Sequence, residues 1–332
     1  MPGNVVLYLN EFEERTFFPA GLFDQLLKFA PQARMVRQTR SDTADLARCL
    51  DELKPVVLVG AWSTPRLPEQ LPESLQYLCY LCGTVKMITN RRHLENGLRV
   101  TNWGGSISRT VAEAALLHIL ACLRRVPHWT IAMHQQGAWR TPEMEGTSLF
   151  GLSVGIHGFG RVSRALIRLL KPFEVKIKVF APDADAAAGQ IHGFEPVATL
   201  EDLFAGSEIV VELAPLIPET TGIVQERHLR LLPPGGVFVN VGRGPVVDEP
   251  GLVRVAQEGA IRIGLDVFAT EPLAPDHPLR GLPNVFLTPH IAGPTANSCR
   301  DIGEYALANL RRFAAGQQLE ALVTPETYDR ST

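Results

Sequence analysis

The chain has 332 residues, 45% of them hydrophobic and 20% charged, with a formal net charge of −3 and a mean hydropathy of +0.05. At about 100–200 residues per domain, that length suggests two packed globular domains. Near-neutral charge argues against a nucleic-acid or anionic-membrane footprint, which would need a basic stripe or patch; small molecules and other protein chains remain as partners.

Met1 leads almost directly into the apolar run Val5–Leu9, without the charged start and long apolar core of a signal peptide. No stretch approaches 18 apolar residues, so no membrane span is expected. Five cysteines fit a reducing compartment better than a disulfide framework, and the expected location is the cytoplasm. Strand-like runs at Val5–Leu9, Val56–Val59 and Leu75–Leu81 alternate with helical patterns at Gly21–Phe29 and Asp42–Leu53, which implies a parallel sheet covered on both faces. Cys79 and Cys82 stand three apart on the last of these strands. They point to opposite faces there and read as core rather than as a metal or disulfide pair.

From Thr110 apolar residues keep helical register for about four turns, and Pro127 is expected to stop that helix. A second alternating series follows. Strands are expected at Ser153–His157, Val175–Ala181, Ile209–Leu213, Gly236–Val241, Arg262–Val267 and Val285–Thr288, and helices at Val162–Leu170, Leu200–Phe204 and Glu249–Glu258, the last with Asp248 as N-cap and Pro250 in its first turn. A final amphipathic helix spans roughly Thr295–Ala315 and could fold back onto the N-terminal half. Pro325 to Thr332 reads as a polar tail.

The segment Gly155-Ile156-His157-Gly158-Phe159-Gly160-Arg161-Val162-Ser163 follows a strand and opens a helix, the context a dinucleotide fingerprint requires. Gly158 permits the tight turn, Gly160 lets backbone N–H groups approach a pyrophosphate, and the helix N-terminus favours negative charge. Ser163 holds the third glycine position. His157 occupies a normally apolar strand position and reads as structural. About twenty residues on, Ala181 stands where a ribose-binding carboxylate is expected, with Asp183 two places late. The missing carboxylate leaves NADP(H) open, but no arginine follows and Asp183 and Asp185 would repel a 2′-phosphate, so NAD(H) is favoured. His118, His128 and His134 show no metal-ligand pairing, and no metal is assigned.

Three further segments each place a charged or titratable residue just after an apolar strand: Asn240-Val241-Gly242-Arg243, Gly264-Leu265-Asp266 with Thr270-Glu271-Pro272, and Thr288-Pro289-His290-Ile291-Ala292-Gly293. The carboxyl edge of an open α/β sheet is where ligands bind. With Gly97 to Asn102, Val111-Ala112-Glu113, the Gly137-Ala138-Trp139 turn and Pro215 to Thr220, these segments resemble, in order and spacing, the D-isomer-specific 2-hydroxyacid dehydrogenase family over nearly the whole chain.

The resemblance implies an α/β fold in which a Rossmann dinucleotide-binding domain, residues 104–293, is inserted into a discontinuous flavodoxin-like substrate domain, residues 1–103 and 294–332. It implies Arg243 on the substrate carboxylate and carbonyl, His290 as general acid/base and Glu271 as its partner. An arginine fork suits a 2-oxo acid, and a carboxylate beside an imidazole favours the protonated form and fixes its orientation. Cofactor contacts are implied at Gly158, Gly160, Arg161, Val162, Asp183, Ala214, Val241, Gly242, Asp266 and Gly293, with Asp266 on the nicotinamide carboxamide. Substrate contacts are implied at Gly83, Thr84 and Val85.

The expected activity is NAD(P)-dependent reduction of a small 2-oxo acid such as glyoxylate or hydroxypyruvate to the D-2-hydroxy acid, in a homodimer built on the Thr110 helix. The alternatives are a formate or phosphite dehydrogenase of the same fold, against which Glu271 counts because the formate enzymes carry glutamine there, and a dinucleotide-sensing corepressor. Lys86 and Trp103 depart from the family pattern, with Lys86 expected to reach solvent. Leu213 and Ile217 replace a commonly polar pair.

Overall fold

The structure, a computed structural model, describes residues 3–37, 42–140 and 146–330. It divides into two compact units, Met1–Ile107 with Pro294–Thr332, and Ser108–Gly293.

The first unit runs β1 (Val5–Leu9), α1 (Glu11–Phe17), α2 (Ala20–Phe29), β2 (Arg34–Arg37), α3 (Thr43–Leu53), β3 (Val57–Gly60), β4 (Tyr77–Tyr80), α4 (Arg91–Glu95) and β5 (Arg99–Thr101). All its strand pairs are parallel, in the order β2-β1-β3-β4-β5. The central strands are buried on both faces and so read as unbroken apolar runs. Four short elements, α1, β2, α4 and β5, carry no periodic signal in the sequence. α1 depends on a capping box, in which Asn10 accepts from the Glu13 N–H and Glu13 reaches back to the Asn10 N–H. β2 is a partly exposed edge strand with arginine at both ends, and β5 is three residues long.

The second unit runs α5 (Ser108–Leu123), α6 (Val126–Gln136), β6 (Ser153–His157), α7 (Arg161–Leu170), β7 (Lys176–Phe180), α8 (Ala186–His192), β8 (Glu195–Pro196), α9 (Leu200–Ala205), β9 (Ile209–Glu212), α10 (Glu226–Leu229), β10 (Val237–Asn240), α11 (Glu249–Glu258), β11 (Arg262–Leu265) and β12 (Val285–Leu287). Its seven strands are parallel in the order β12-β11-β10-β9-β6-β7-β8. The chain order reverses direction between β6 and β9, the switch point at which such sheets bind ligands. Alternate residues feed two cores. Val154, Ile156, Ile209, Val211, Val237 and Val239 pack under α5 and α7, while Val210, Phe238 and Ile263 pack under α9, α10 and α11.

Pro127 does not end the long helix. α5 stops at Leu123, Arg125 takes a left-handed conformation (φ 54°), and Pro127 sits in the first turn of α6, where its missing N–H costs nothing. Asp248 occupies the N-cap of α11, but its side chain makes no capping bond.

The chain then returns to the first unit through α12 (Cys299–Ala314) and α13 (Pro325–Asp329). The polar tail is thus helical at its start: Thr324 caps α13, and Asp329 pairs with Arg91. Lys86 approaches the Asp329 carbonyl at 3.4 Å in an exposed contact and lies 5.7 Å over the Tyr328 ring, so it reaches solvent beside α13.

α12 touches α1 at Gly303, where an added Cβ would stand 1.8 Å from the Phe17 carbonyl oxygen. The obstacle is backbone, which cannot rotate away. Gly303→Ala is therefore expected to destabilise the first unit by about 3 kcal/mol, the upper range for overpacking, measured as a shift in the urea unfolding midpoint; an unchanged midpoint would mean that the α1–α12 contact is looser than described.

Candidate active site

Each strand of the second sheet ends in a loop on its carboxyl side, and the chemistry-bearing residues sit on those loops. Arg243 follows β10, Asp266 and Glu271 follow β11, and His290 follows β12. Glu271 Oε2 lies 2.6 Å from His290 Nδ1, and Glu271 Oε1 accepts the Phe268 N–H at 3.0 Å. The carboxylate is thus anchored to its own loop while it orients the imidazole, whose Nε2 is the nitrogen left for other work. Arg243 is largely buried and donates Nη1–H to the Gly242 carbonyl at 2.7 Å. Burial pulls its pKa below the ordinary value, and the charge of Glu271 acts in the opposite direction. A guanidinium stays protonated despite such a shift. At Gly244 the Arg243 turn passes so close to the Phe268–Ala269 backbone that a Cβ would stand 2.0 Å from the Phe268 carbonyl.

His290 has φ 54°, a left-handed conformation costing a non-glycine residue about 1 kcal/mol. Asp266 holds it there. The Asp266 carbonyl accepts the His290 N–H at 2.8 Å. The fully buried carboxylate accepts the Ile291 N–H and the Thr288 hydroxyl on Oδ1 (2.8 and 2.6 Å) and the Ala292 N–H on Oδ2 (2.8 Å). Behind it stands His118 of α5, with Nε2 3.0 Å from Thr288 Oγ1 and Nδ1 2.7 Å from the Ala114 carbonyl. Burial lowers the His118 pKa; the Ala114 bond and the Asp266 charge offset part of that.

The glycine turn lies at the end of β6. Gly158 has φ 93°, and a Cβ there would meet the Leu213 oxygen and the Ala214 backbone at 2.8–2.9 Å. Only glycine permits that approach. Gly160 is the N-cap of α7 and makes no side-chain cap, and the space where its Cβ would stand is open. The first N–H groups of this ten-residue helix are therefore left for an external acceptor, at its positive end. These features fit the pyrophosphate of a dinucleotide, with Arg161 and Val162 in the first turn. Ala214 begins the facing loop and is buried; Val241 and Gly242 follow β10; Gly293 closes the unit. Asp183 is exposed in the turn after β7, while Asp185 caps α8 by accepting the Ala188 N–H at 2.8 Å.

Within the first unit, Gly83, Thr84 and Val85 follow β4. Asn102 Nδ2 donates to the Gly83 carbonyl at 2.8 Å, and the Trp103 indole lies where a Gly83 Cβ would stand, 2.7 Å away. The indole thus packs against its own unit's substrate-loop backbone.

A cavity of about 550 Å³ in the second unit is bordered by Phe268, Leu273, Leu287, Pro289 and the Glu271–His290 pair. Among the described residues, no group of three His, Cys, Asp or Glu could hold a metal, and no helix is long and apolar enough to cross a membrane. All five thiols are free; burial pushes Cys79 up to about 11 and Cys122 to about 12, away from nucleophilic use.

Behind the loops, Thr288, His118, Asn240 and Glu212 hold supporting contacts that the sequence does not signal directly. Asn240 Oδ1 accepts the Gly242 N–H and its Nδ2 donates to the Arg243 carbonyl. Their one sequence signal is a polar side chain at the last position of an otherwise apolar strand, which Asn240 and Glu212 share with His157.

Residues 116–292 match the family model for the D-isomer specific 2-hydroxyacid dehydrogenase NAD binding domain. A hydroxyphenylpyruvate reductase of Plectranthus scutellarioides is 35% identical over 227 residues, 68% of this chain and 71% of that protein. A glyoxylate reductase of Thermofilum pendens is 34% identical over 237 residues, 70% of each chain. The crystal structure of an NADPH-dependent glyoxylate/hydroxypyruvate reductase from Sinorhizobium meliloti superposes with a TM-score of 0.78 at 26% identity, covering 99% of both chains.

The His118 environment carries a pH prediction. The unfolded chain takes up a proton at the ordinary value of 6.5, the folded chain only at lower pH. The unfolded state therefore binds more protons just below that point, and stability falls as pH falls through it. His118→Leu is expected to lose less stability than wild type between about pH 7.5 and 5.5 in urea unfolding; equal losses would contradict a neutral buried imidazole.

Proposed function

The chain belongs to the D-isomer specific 2-hydroxyacid dehydrogenase family, an NAD(P)-dependent oxidoreductase family, and on that premise we propose that it interconverts a small 2-oxo acid and its D-2-hydroxy acid. The substrate class is that of glyoxylate and hydroxypyruvate, and the preferred cofactor is NAD(H). The reading rests on one observation above the others, the 2.6 Å His290–Glu271 contact at the carboxyl end of the sheet.

A bound reduced nicotinamide supplies a hydride to the substrate's carbonyl carbon. His290 Nε2 delivers the matching proton to the carbonyl oxygen and takes it back in the reverse direction. Glu271, bound to Nδ1 at 2.6 Å, keeps the ring oriented. Arg243 presents a permanent charge and a planar donor fork to the carboxylate and the polarised carbonyl. Asp266 is read first as the anchor of the His290 loop, because three donors already fill most of its lone pairs. Gly83, Thr84 and Val85 stay assigned to the substrate carboxylate by the resemblance.

NAD(H) is favoured because no arginine follows Ala181 to pair with a 2′-phosphate, and Asp183 would repel one. The exposed Leu117, Val126, Met133 and Trp139 on α5, α6 and the turn beyond support a homodimer built on this surface. Free, mostly buried thiols support a cytoplasmic location.

A panel of 2-oxo acids assayed with NADH and NADPH in parallel tests the reading. Turnover is expected for the smallest acids, with kcat/KM about two- to fivefold higher for NADH, the scale of one exposed like-charge contact. A second expectation concerns roles. His290→Asn should lower kcat by about 10²–10⁴-fold, the range for a lost general acid, and still bind NADH in a fluorescence titration. NADH binding without turnover of any acid would sink the reading and favour a sensing role.

A further inference from the structure

β6 and β9 are neighbours at the switch point, and their last residues, His157 and Glu212, face each other in register. Every earlier residue of β9 and all but the edge serine of β6 are apolar and buried. His157 is 4% exposed and Glu212 is fully buried. His157 Nδ1 lies 2.6 Å from Glu212 Oε2, and the imidazole stacks on Phe180 with ring centroids 5.5 Å apart.

The fold itself does not call for this pair. Replacing a buried ion pair by apolar side chains of similar volume is often neutral or stabilising. What two apolar side chains could not do is accept a hydrogen bond from the loop above. Glu212 Oε1 accepts the Ala214 N–H at 2.7 Å, and Ala214 with Leu213 forms the wall against which the Gly158 turn lies, with no room for a Cβ between them. Backbone bonds complete the join: Leu213 N–H to the His157 carbonyl at 2.9 Å and Gly158 N–H to the Phe180 carbonyl at 2.8 Å. Two loops that flank the dinucleotide site are tied at one point.

We propose that His157 and Glu212 are a positioning pair for dinucleotide binding: His157 fixes the Glu212 carboxylate, which sets the Leu213–Pro215 loop against the Gly158 turn. The inference rests on the reading of that turn as the dinucleotide site. Neither residue touches the cofactor; both act through the backbone of Ala214.

The test compares NADH affinity, by fluorescence titration without substrate, with thermal stability of the ligand-free protein. The double variant His157→Val/Glu212→Leu removes the acceptor and keeps the volume. It is expected to melt within a few degrees of wild type or higher, yet bind NADH about tenfold more weakly, the scale of one lost charge-assisted bond, with faster amide exchange at Ala214. Glu212→Gln keeps an acceptor oxygen and is expected to bind NADH within about twofold of wild type, which secures the test if the double variant does not fold. Wild-type affinity in the double variant would overturn the proposal and leave the pair as core filling, as would tenfold weakening in a stable Glu212→Gln. Failure of the wild-type protein itself to bind NADH would instead overturn the underlying reading of the turn.

Discussion

The His290 loop hangs on a buried carboxylate to which, among the described residues, no cation is bonded. Asp266 has no exposed surface, and three donors from the segment Thr288–Ala292 converge on its two oxygens, while its carbonyl holds the His290 N–H. An ionised group taken out of water without partners would be prohibitively unfavourable. The cost is met here only when the loop folds so that all three donors reach it. That requirement forces His290 into its left-handed conformation and so points the imidazole at Glu271. Loss of any one donor would leave charge uncompensated, so the loop is over-determined by its anchor. Strained backbone persists where its surroundings over-determine it.

The same device recurs along the sheet edge. Asn240 ties down the turn that carries Arg243, and Glu212 ties down the loop beginning at Ala214. His157, Glu212 and Asn240 share one rung of β6, β9 and β10. Below that rung the strands are almost wholly apolar, and above it stand the loops of the candidate site. Rigid strands thus set the loops through short polar links, which gives the site its precision without a basic surface. A net charge of −3 is compatible with binding an anionic dinucleotide and an anionic substrate because the positive potential comes from a helix N-terminus and placed arginines.

Much of this was legible in the sequence. The strands Val5–Leu9 and Ser153–His157 and the helix Glu249–Glu258 stand where apolar runs and the Pro250 first-turn signal put them. The glycine turn was readable because its geometry demands glycine at Gly158, and the Arg243, Glu271 and His290 segments because each follows a buried strand. Other elements left no such trace. β2 and α1 are short and held by edge pairing and a capping box rather than by periodicity. Pro127 carries two opposite meanings, helix stop and helix first turn, and only the Arg125 backbone decides between them. The anchoring of the His290 loop by Asp266 has no sequence signal, since a sequence does not show which donors reach a carboxylate. His157 read as structural when seen alone, since its partner Glu212 lies 55 residues away.

In the proposed reaction His290, Glu271 and Arg243 serve hydride transfer to a 2-oxo acid. The most direct measurement is the fate of deuterium from the C4 position of labelled NADH when the protein reduces glyoxylate-class acids, read by NMR of the product. With both C4 hydrogens replaced by deuterium, the expected result is deuterium on C2 of a D-configured hydroxy acid, and no labelled product from the Arg243→Ala protein. An L-configured product, or label that never reaches C2 while the dinucleotide binds, would contradict it.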